Sequence, residues 1–205
     1  LMTESPSEYE ILANAYAFLG SSLLTPMSQT PQLGLDPAFW DAFTAFDSEA
    51  VEEAGRSLAE FAAVKAGDGN AVEDVSVEWT RLFVGPPKPA AAPWESYYRA
   101  KDAKSGFGPA TFEMQELLRK HGLAVGGESN QFADHIGIEL LLLSEMCRKA
   151  TADEDFEEIG TYLQEHPLGW VGDLEQAVAA CEPDGYCLHV IVLAEALMEM
   201  HLAAL

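Results

Sequence analysis

The stretch Glu78 to Tyr98, EWTRLFVGPPKPAAAPWESYY, most narrows what the chain can fold into. It opens with helical spacing, breaks at Gly85 and carries prolines at 86, 87, 89 and 93. Proline fixes φ and lacks the backbone donor, which excludes the segment from a helix interior and from a central strand. Trp79, Leu82 and Phe83 precede the break, and Trp94, Tyr97 and Tyr98 follow it. A long loop bracketed by aromatics is expected to be packed or functional rather than a passive tether.

Around this stretch the apolar residues recur at helical spacing. The pattern predicts helices over 7–24, 48–65, 74–84, 95–103, 109–121, 130–149, 151–165 and 171–181. A short helix is expected from Asp36-Pro37 and a final one from Asp184. Ser7 with Glu10, and Thr151 with Glu154, read as capping boxes. In the 109–121 helix Phe112, Leu117 and Leu118 are expected to face inward. The 130–149 helix is apolar on most faces, as a central helix would be. Strand-like alternation and internal repeats are lacking. The expectation is an all-α fold, one multi-helix domain over 1–205, with a hinge-like connection near 104–109. Such a hinge leaves both a monomer and a domain-swapped dimer open.

Charge narrows the function. The chain carries 34 acidic and 11 basic residues, a formal net charge of -23. That argues against nucleic acid and against anionic lipid as partners, and favours a basic partner or plain solubility. Cys147, Cys181 and Cys187 form no close pair, so reduced thiols are expected. The first residues lack the pattern of a signal peptide. Apolar runs such as Ile136 to Leu143 read as too short to insert in a membrane. Together these features predict a cytoplasmic location.

Two places could carry chemistry. Asp134-His135 stands at the expected start of the central helix, and His135 and Glu139 are four apart, on one face. This set could be structural. It could instead form a metal or general-base site, as in a small metal-dependent hydrolase using Asp134, His135 and Glu139. It could also be a recognition site for a basic group. The second place is Glu95-Ser96. Ser96 lacks the surroundings of a nucleophile elbow, and Glu95 could simply favour a helix start.

Two motifs taken together are specific. They are W-x-x-L-F-x-G-P with a proline-rich run ending P-W-E-S-x-Y, at Trp79 to Tyr98, and D-H-x-x-x-E-L, at Asp134 to Leu140. With them the chain resembles the TorD/DmsD/NarJ family of molybdoenzyme maturation chaperones, over nearly its whole length. The H-P-L-x-W segment at His166 to Trp170 is similar to the family's C-terminal third. The resemblance implies a TorD-like all-α fold and no catalytic activity. It implies no cofactor or metal of the chain's own. It also implies a role in binding the twin-arginine leader of a molybdenum-cofactor oxidoreductase in the cytoplasm. A NarJ-type role, assembling a subunit that is not exported, is the variant. By resemblance the peptide-binding residues would include Trp79, Leu82, Phe83, Pro86, Trp94, Glu95, Tyr97, Asp134 and His135. One departure is visible. The family's second motif usually reads E-P-x-D-H, and here Gln131-Phe132-Ala133 precede Asp134-His135.

The chemistry of such a leader agrees with these residues. Two guanidinium groups followed by an apolar segment call for carboxylates beside an apolar groove. Glu95, Asp134 and Glu139 offer the charge. Trp79, Phe83, Trp94 and Tyr97 offer the apolar surface. The expected groove has the Glu78–Tyr98 stretch as one wall and the Asp134-His135 helix start as the other.

Overall fold

The structure, a computed structural model, describes residues 7–99, 106–126 and 131–205. Among these it forms α1 (Glu8–Leu24), α2 (Glu49–Lys65), α3 (Ala71–Phe83), α4 (Glu95–Arg99), α5 (Pro109–Lys120), α6 (Ile136–Lys149), α7 (Asp153–Glu165), α8 (Val171–Ala179) and α9 (Tyr186–Ala204). A 3₁₀ helix, Pro37–Ala45, links α1 to α2. No strand is present among the described residues, and the all-α expectation holds.

Side-chain caps set several of the starts. Ser7 accepts from Glu10 N and Ser48 from Val51 N, each satisfying a donor that the first turn leaves free. Asp36 accepts from Ala38 N, with Pro37 at the first helical position. That segment winds as 3₁₀ rather than α. The expected Thr151/Glu154 box is replaced by Asp155, whose Oδ2 accepts from Thr151 N at 2.8 Å and Ala152 N at 3.0 Å. α3 begins at Ala71, three residues before the expected Asp74. α9 begins at Tyr186 rather than Asp184 and is capped from a distance. Glu78 of α3 accepts from Tyr186 N at 3.1 Å and Cys187 N at 2.8 Å.

The core runs along α1, α6 and α9. α1 and α6 meet where Gly20 lies against Gly137. A Cβ on Gly20 would stand 2.8 Å from Gly137 O, and one on Gly137 would stand 2.6 Å from Gly20 O. The contact therefore requires glycine on both sides. Toward the other end Ser144 Oγ donates to Ala13 O at 2.6 Å. α9 buries Val190, Ile191, Leu193, Ala194, Leu197 and Met198. By length and composition alone α9 could cross a membrane, which corrects the expectation that no apolar run is long enough. Its buried face shows instead that it serves as a core helix.

Trp79 closes the core beside the proline-rich loop, with Nε1 donating to Leu23 O at 2.8 Å. Leu82 and Phe83 are buried with it. The loop then folds back over the end of α3. Ala90 N and Ala91 N donate to the carbonyls of Arg81 and Leu82, at 3.3 and 2.9 Å. Helix ends leave such carbonyls unpaired, so the loop acts as a backbone cap. Gly85 makes the reversal at φ +104, a region that side chains strain to adopt.

Candidate functional site

The proline-rich stretch and the Asp134-His135 segment are joined backbone to backbone. Glu95 N donates to Asp134 O at 2.9 Å, and Ile136 N donates to Pro93 O at 3.0 Å. Trp94 and His135 thereby form an antiparallel bridge. The expectation of two separate walls across a groove is corrected, because the two motifs form one structural unit.

Asp134 is the buried clasp of this unit. Its Oδ2 accepts from Ser96 N at 2.9 Å and its Oδ1 from Thr111 Oγ1 at 2.9 Å, so it ties α4 and α5 to the start of α6. His135 caps α6 rather than lying within it, since α6 begins at Ile136 and not at Asn130, which lies outside the described residues. His135 Nδ1 accepts from Gly137 N at 3.0 Å. The ring is fully enclosed, and burial pushes its pKa down to about 3. It is therefore neutral, with its proton on Nε2, and Nε2 has no hydrogen-bond partner.

Beneath the clasp lies a second buried set. Glu95 is 0% exposed. Its Oε2 meets His166 Nδ1 at 3.0 Å and its Oε1 accepts from Arg99 Nη1 at 2.9 Å. The same Nη1 donates to Glu113 Oε2 on α5 at 2.7 Å. Glu139, also enclosed, accepts from Trp170 Nε1 at 3.1 Å, while Tyr162 OH donates to the Glu139 carbonyl at 3.0 Å. Burial raises the Glu139 carboxyl well above the usual carboxylate range, and the neighbouring Glu95 charge adds to the shift.

The sequence-predicted set divides by burial. Trp79, Leu82 and Phe83 are core residues, which corrects their placement along an open groove. Glu95, Asp134, His135 and Glu139 converge, but beneath the surface. Pro86 is exposed, Tyr97 is 38% exposed, and Trp94 is half-buried. Among the described residues no three His, Cys, Asp or Glu side chains are placed to hold a metal ion. The expected run of α4 from Ala100 to Ala103, and residues 104 and 105 of the expected connection, lie outside the described residues.

Several site residues escaped the sequence reading. His166 reaches Glu95 across 71 positions of chain, and no spacing rule exposes such a pair, although its H-P-L-x-W motif was visible. Arg99 sits one turn after Glu95, a spacing that could have marked it. Phe112 was expected to face inward and is 55% exposed. It stacks edge-on with Phe107 (5.1 Å between centroids), Phe107 meets Phe132 (5.4 Å), and Phe132 meets Trp94 (5.6 Å). Phe107 is 45% and Phe132 36% exposed. An aromatic shelf therefore lies outside the joined motifs, and Phe132 belongs to the Gln131-Phe132-Ala133 departure.

Residues 45–176 match the nitrate reductase delta subunit family. Curated relatives include the chaperone protein TorD of Vibrio vulnificus (strain YJ016), 28% identical over 120 residues, or 55% of this chain and 55% of that protein. TorD of Aliivibrio fischeri (strain ATCC 700601 / ES114) is 32% identical over 111 residues, 51% of each chain. The probable Tat proofreading chaperone DmsD of Haemophilus influenzae is 26% identical over 98 residues, 48% of this chain and 45% of that protein. The chain spans about half the length of the curated relatives it matches.

Proposed function

Because the chain belongs to the nitrate reductase delta subunit family, we propose that it is a system-specific chaperone, not an enzyme, that binds the twin-arginine leader of a molybdenum-cofactor oxidoreductase in the cytoplasm during that client's maturation. The relatives' names, TorD chaperone and Tat proofreading chaperone, support the coarser part of this reading.

One observation favours the finer part. The aromatic shelf of Trp94, Phe107, Phe112 and Phe132 adjoins a carboxylate cluster, at the junction of the two motifs that carry the resemblance. A leader with paired arginines and an apolar segment presents the complementary chemistry. In this reading Tyr97, Trp94 and Phe132 meet the apolar segment, Glu95 and Glu113 meet the arginines, and the neutral, enclosed Glu139 backs Glu95 from beneath. Asp134 and His135 hold the junction, and Trp79, Leu82 and Phe83 support it from the core.

Calorimetric titration with a synthetic peptide carrying adjacent arginines and an apolar run tests the proposal. Binding that weakens when both arginines become lysines supports it, and equal affinity for the two peptides removes the arginine-pairing part. The family description also favours the NarJ-type variant, in which the client segment carries no export leader. Capture of a client truncated of its leader, with no affinity for the isolated leader, would select that variant.

A further inference from the structure

Among the described residues Arg99 is the one Lys or Arg side chain that pairs with Glu95. A pairing at i and i+4 usually reads as helix-surface support. Three features set this one apart. The helix is only five residues long. The same Nη1 is gripped from two elements, by Glu95 of α4 at 2.9 Å and by Glu113 of α5 at 2.7 Å. And Glu95 is completely enclosed while the Arg99 side chain that pairs with it is 42% exposed.

Negative charge is also in excess here. Two carboxylates, Glu95 and Glu113, share one guanidinium, and the other oxygen of Glu95 meets His166. Glu139 Oε1, behind Glu95, is buried and has no hydrogen-bond partner. The cluster holds more acceptor capacity than its resident cation uses.

We propose that Arg99 is an intrachain stand-in for a client arginine. Glu95 and Glu113 form a guanidinium site that Arg99 fills in the free protein and gives up to an arginine of the bound peptide. The idea rests on the leader-binding reading and adds a regulatory step to it. A buried carboxylate left without a cation is strongly unfavourable, so Arg99 leaves only as another cation arrives. Two carboxylates on separate elements suit a planar fork better than a point-charged ammonium. Self-occupancy lowers the apparent affinity by the fraction of sites that Arg99 holds. Weak or incompletely matched basic peptides are thereby rejected.

Two measurements on the full chain test this. In the first, the adjacent-arginine peptide is titrated into wild type, Arg99→Lys and Arg99→Ala. The expected order of affinity is Ala tightest, then Lys, then wild type, with the extremes about tenfold apart. Equal or weaker binding by both variants overturns the proposal. In the second, ethylguanidinium is added at millimolar concentration during thermal unfolding. It should raise the Tm of Arg99→Ala in a dose-dependent way, leave wild type unmoved, and exceed ethylammonium. No rise, or an equal rise with ethylammonium, contradicts a guanidinium site. Should Arg99→Ala fail to fold, the Arg99→Lys titration decides alone, because lysine keeps Glu95 paired. Wild type that binds no adjacent-arginine peptide removes the leader-binding reading, whereas ethylguanidinium rescue reports the site independently of any leader.

Discussion

Glu139 is fully enclosed, and burial, reinforced by the Glu95 charge, keeps its carboxyl protonated well above the ordinary range. The unfolded chain loses that proton near pH 4.3, roughly the model-peptide value, while the native chain retains it. Native protein then binds more protons than unfolded protein, and stability falls as pH rises above that point. Glu139→Gln should remove this slope. Its Tm advantage over wild type is expected to grow from pH 4 to pH 8 when followed by circular dichroism, and a difference that stays constant with pH would contradict the assignment. His135 works in the opposite direction. Its folded pKa of about 3 lies below the unfolded value, so unfolded protein takes up the proton first as pH falls. Stability is present above about pH 6.5 and is lost progressively toward pH 3. His135→Asn is expected to flatten the acid limb of a Tm-against-pH curve. Asp134 and Glu95 were legible in the sequence as motif acids, but not as buried ones. Burial depends on α5, α7 and the His166 turn closing over them, and those contacts are distant in sequence. For that reason their replacement by alanine reads as destabilising rather than as a clean loss of peptide contact. Removing Asp134 strands Ser96 N, at a cost of about 1–3 kcal/mol for the buried group left unpaired, while Thr111 Oγ1 keeps Gly108 N and Ser96 Oγ.

At the scale of elements, helix existence was readable from periodicity and helix starts were read less well. α1 begins where its Ser7 cap predicted, and α2 at the expected Ser48, because in each the cap residue lies beside the helix it serves. α9 and α4 are capped by Glu78 and Asp134, from elsewhere in the chain, and local sequence carries no trace of that. Phe112 was assigned inward because an apolar residue at helical spacing usually packs. On α5 it serves the exposed shelf instead. The α1–α6 crossing gives a sharp test. Gly20→Ala would bring a methyl to 2.8 Å from a backbone oxygen that cannot swing aside. Overpacking of this kind costs about 1–3 kcal/mol, and chemical denaturation should report the loss as a lower midpoint. Gly69→Ala is the control, because a Cβ there meets nothing within 4 Å and φ is not positive. An equal loss in both variants would mean that the close approach does not limit packing.

Over the whole molecule the formal charge of -23 and the mostly buried carboxylate cluster act at different ranges. Surface charge steers a basic peptide and is screened beyond about 8 Å at physiological salt. A paired, enclosed Glu95 is screened much less. The account therefore expects the association rate of the adjacent-arginine peptide to fall with added salt more steeply than its dissociation rate rises, as stopped-flow fluorescence would show. The joined motifs compete with an apolar groove of about 360 Å³ lined by Ile11, Phe18, Leu33, Phe39 and Phe43. Hydrogen exchange on the full chain with and without the peptide separates them most directly. The account predicts new protection at 94–99, 107–113 and 131–136, with the amides of 11–18 and 33–46 unchanged. Protection confined to 11–18 and 33–46 would contradict the claim that the junction of the two motifs is where the client is held.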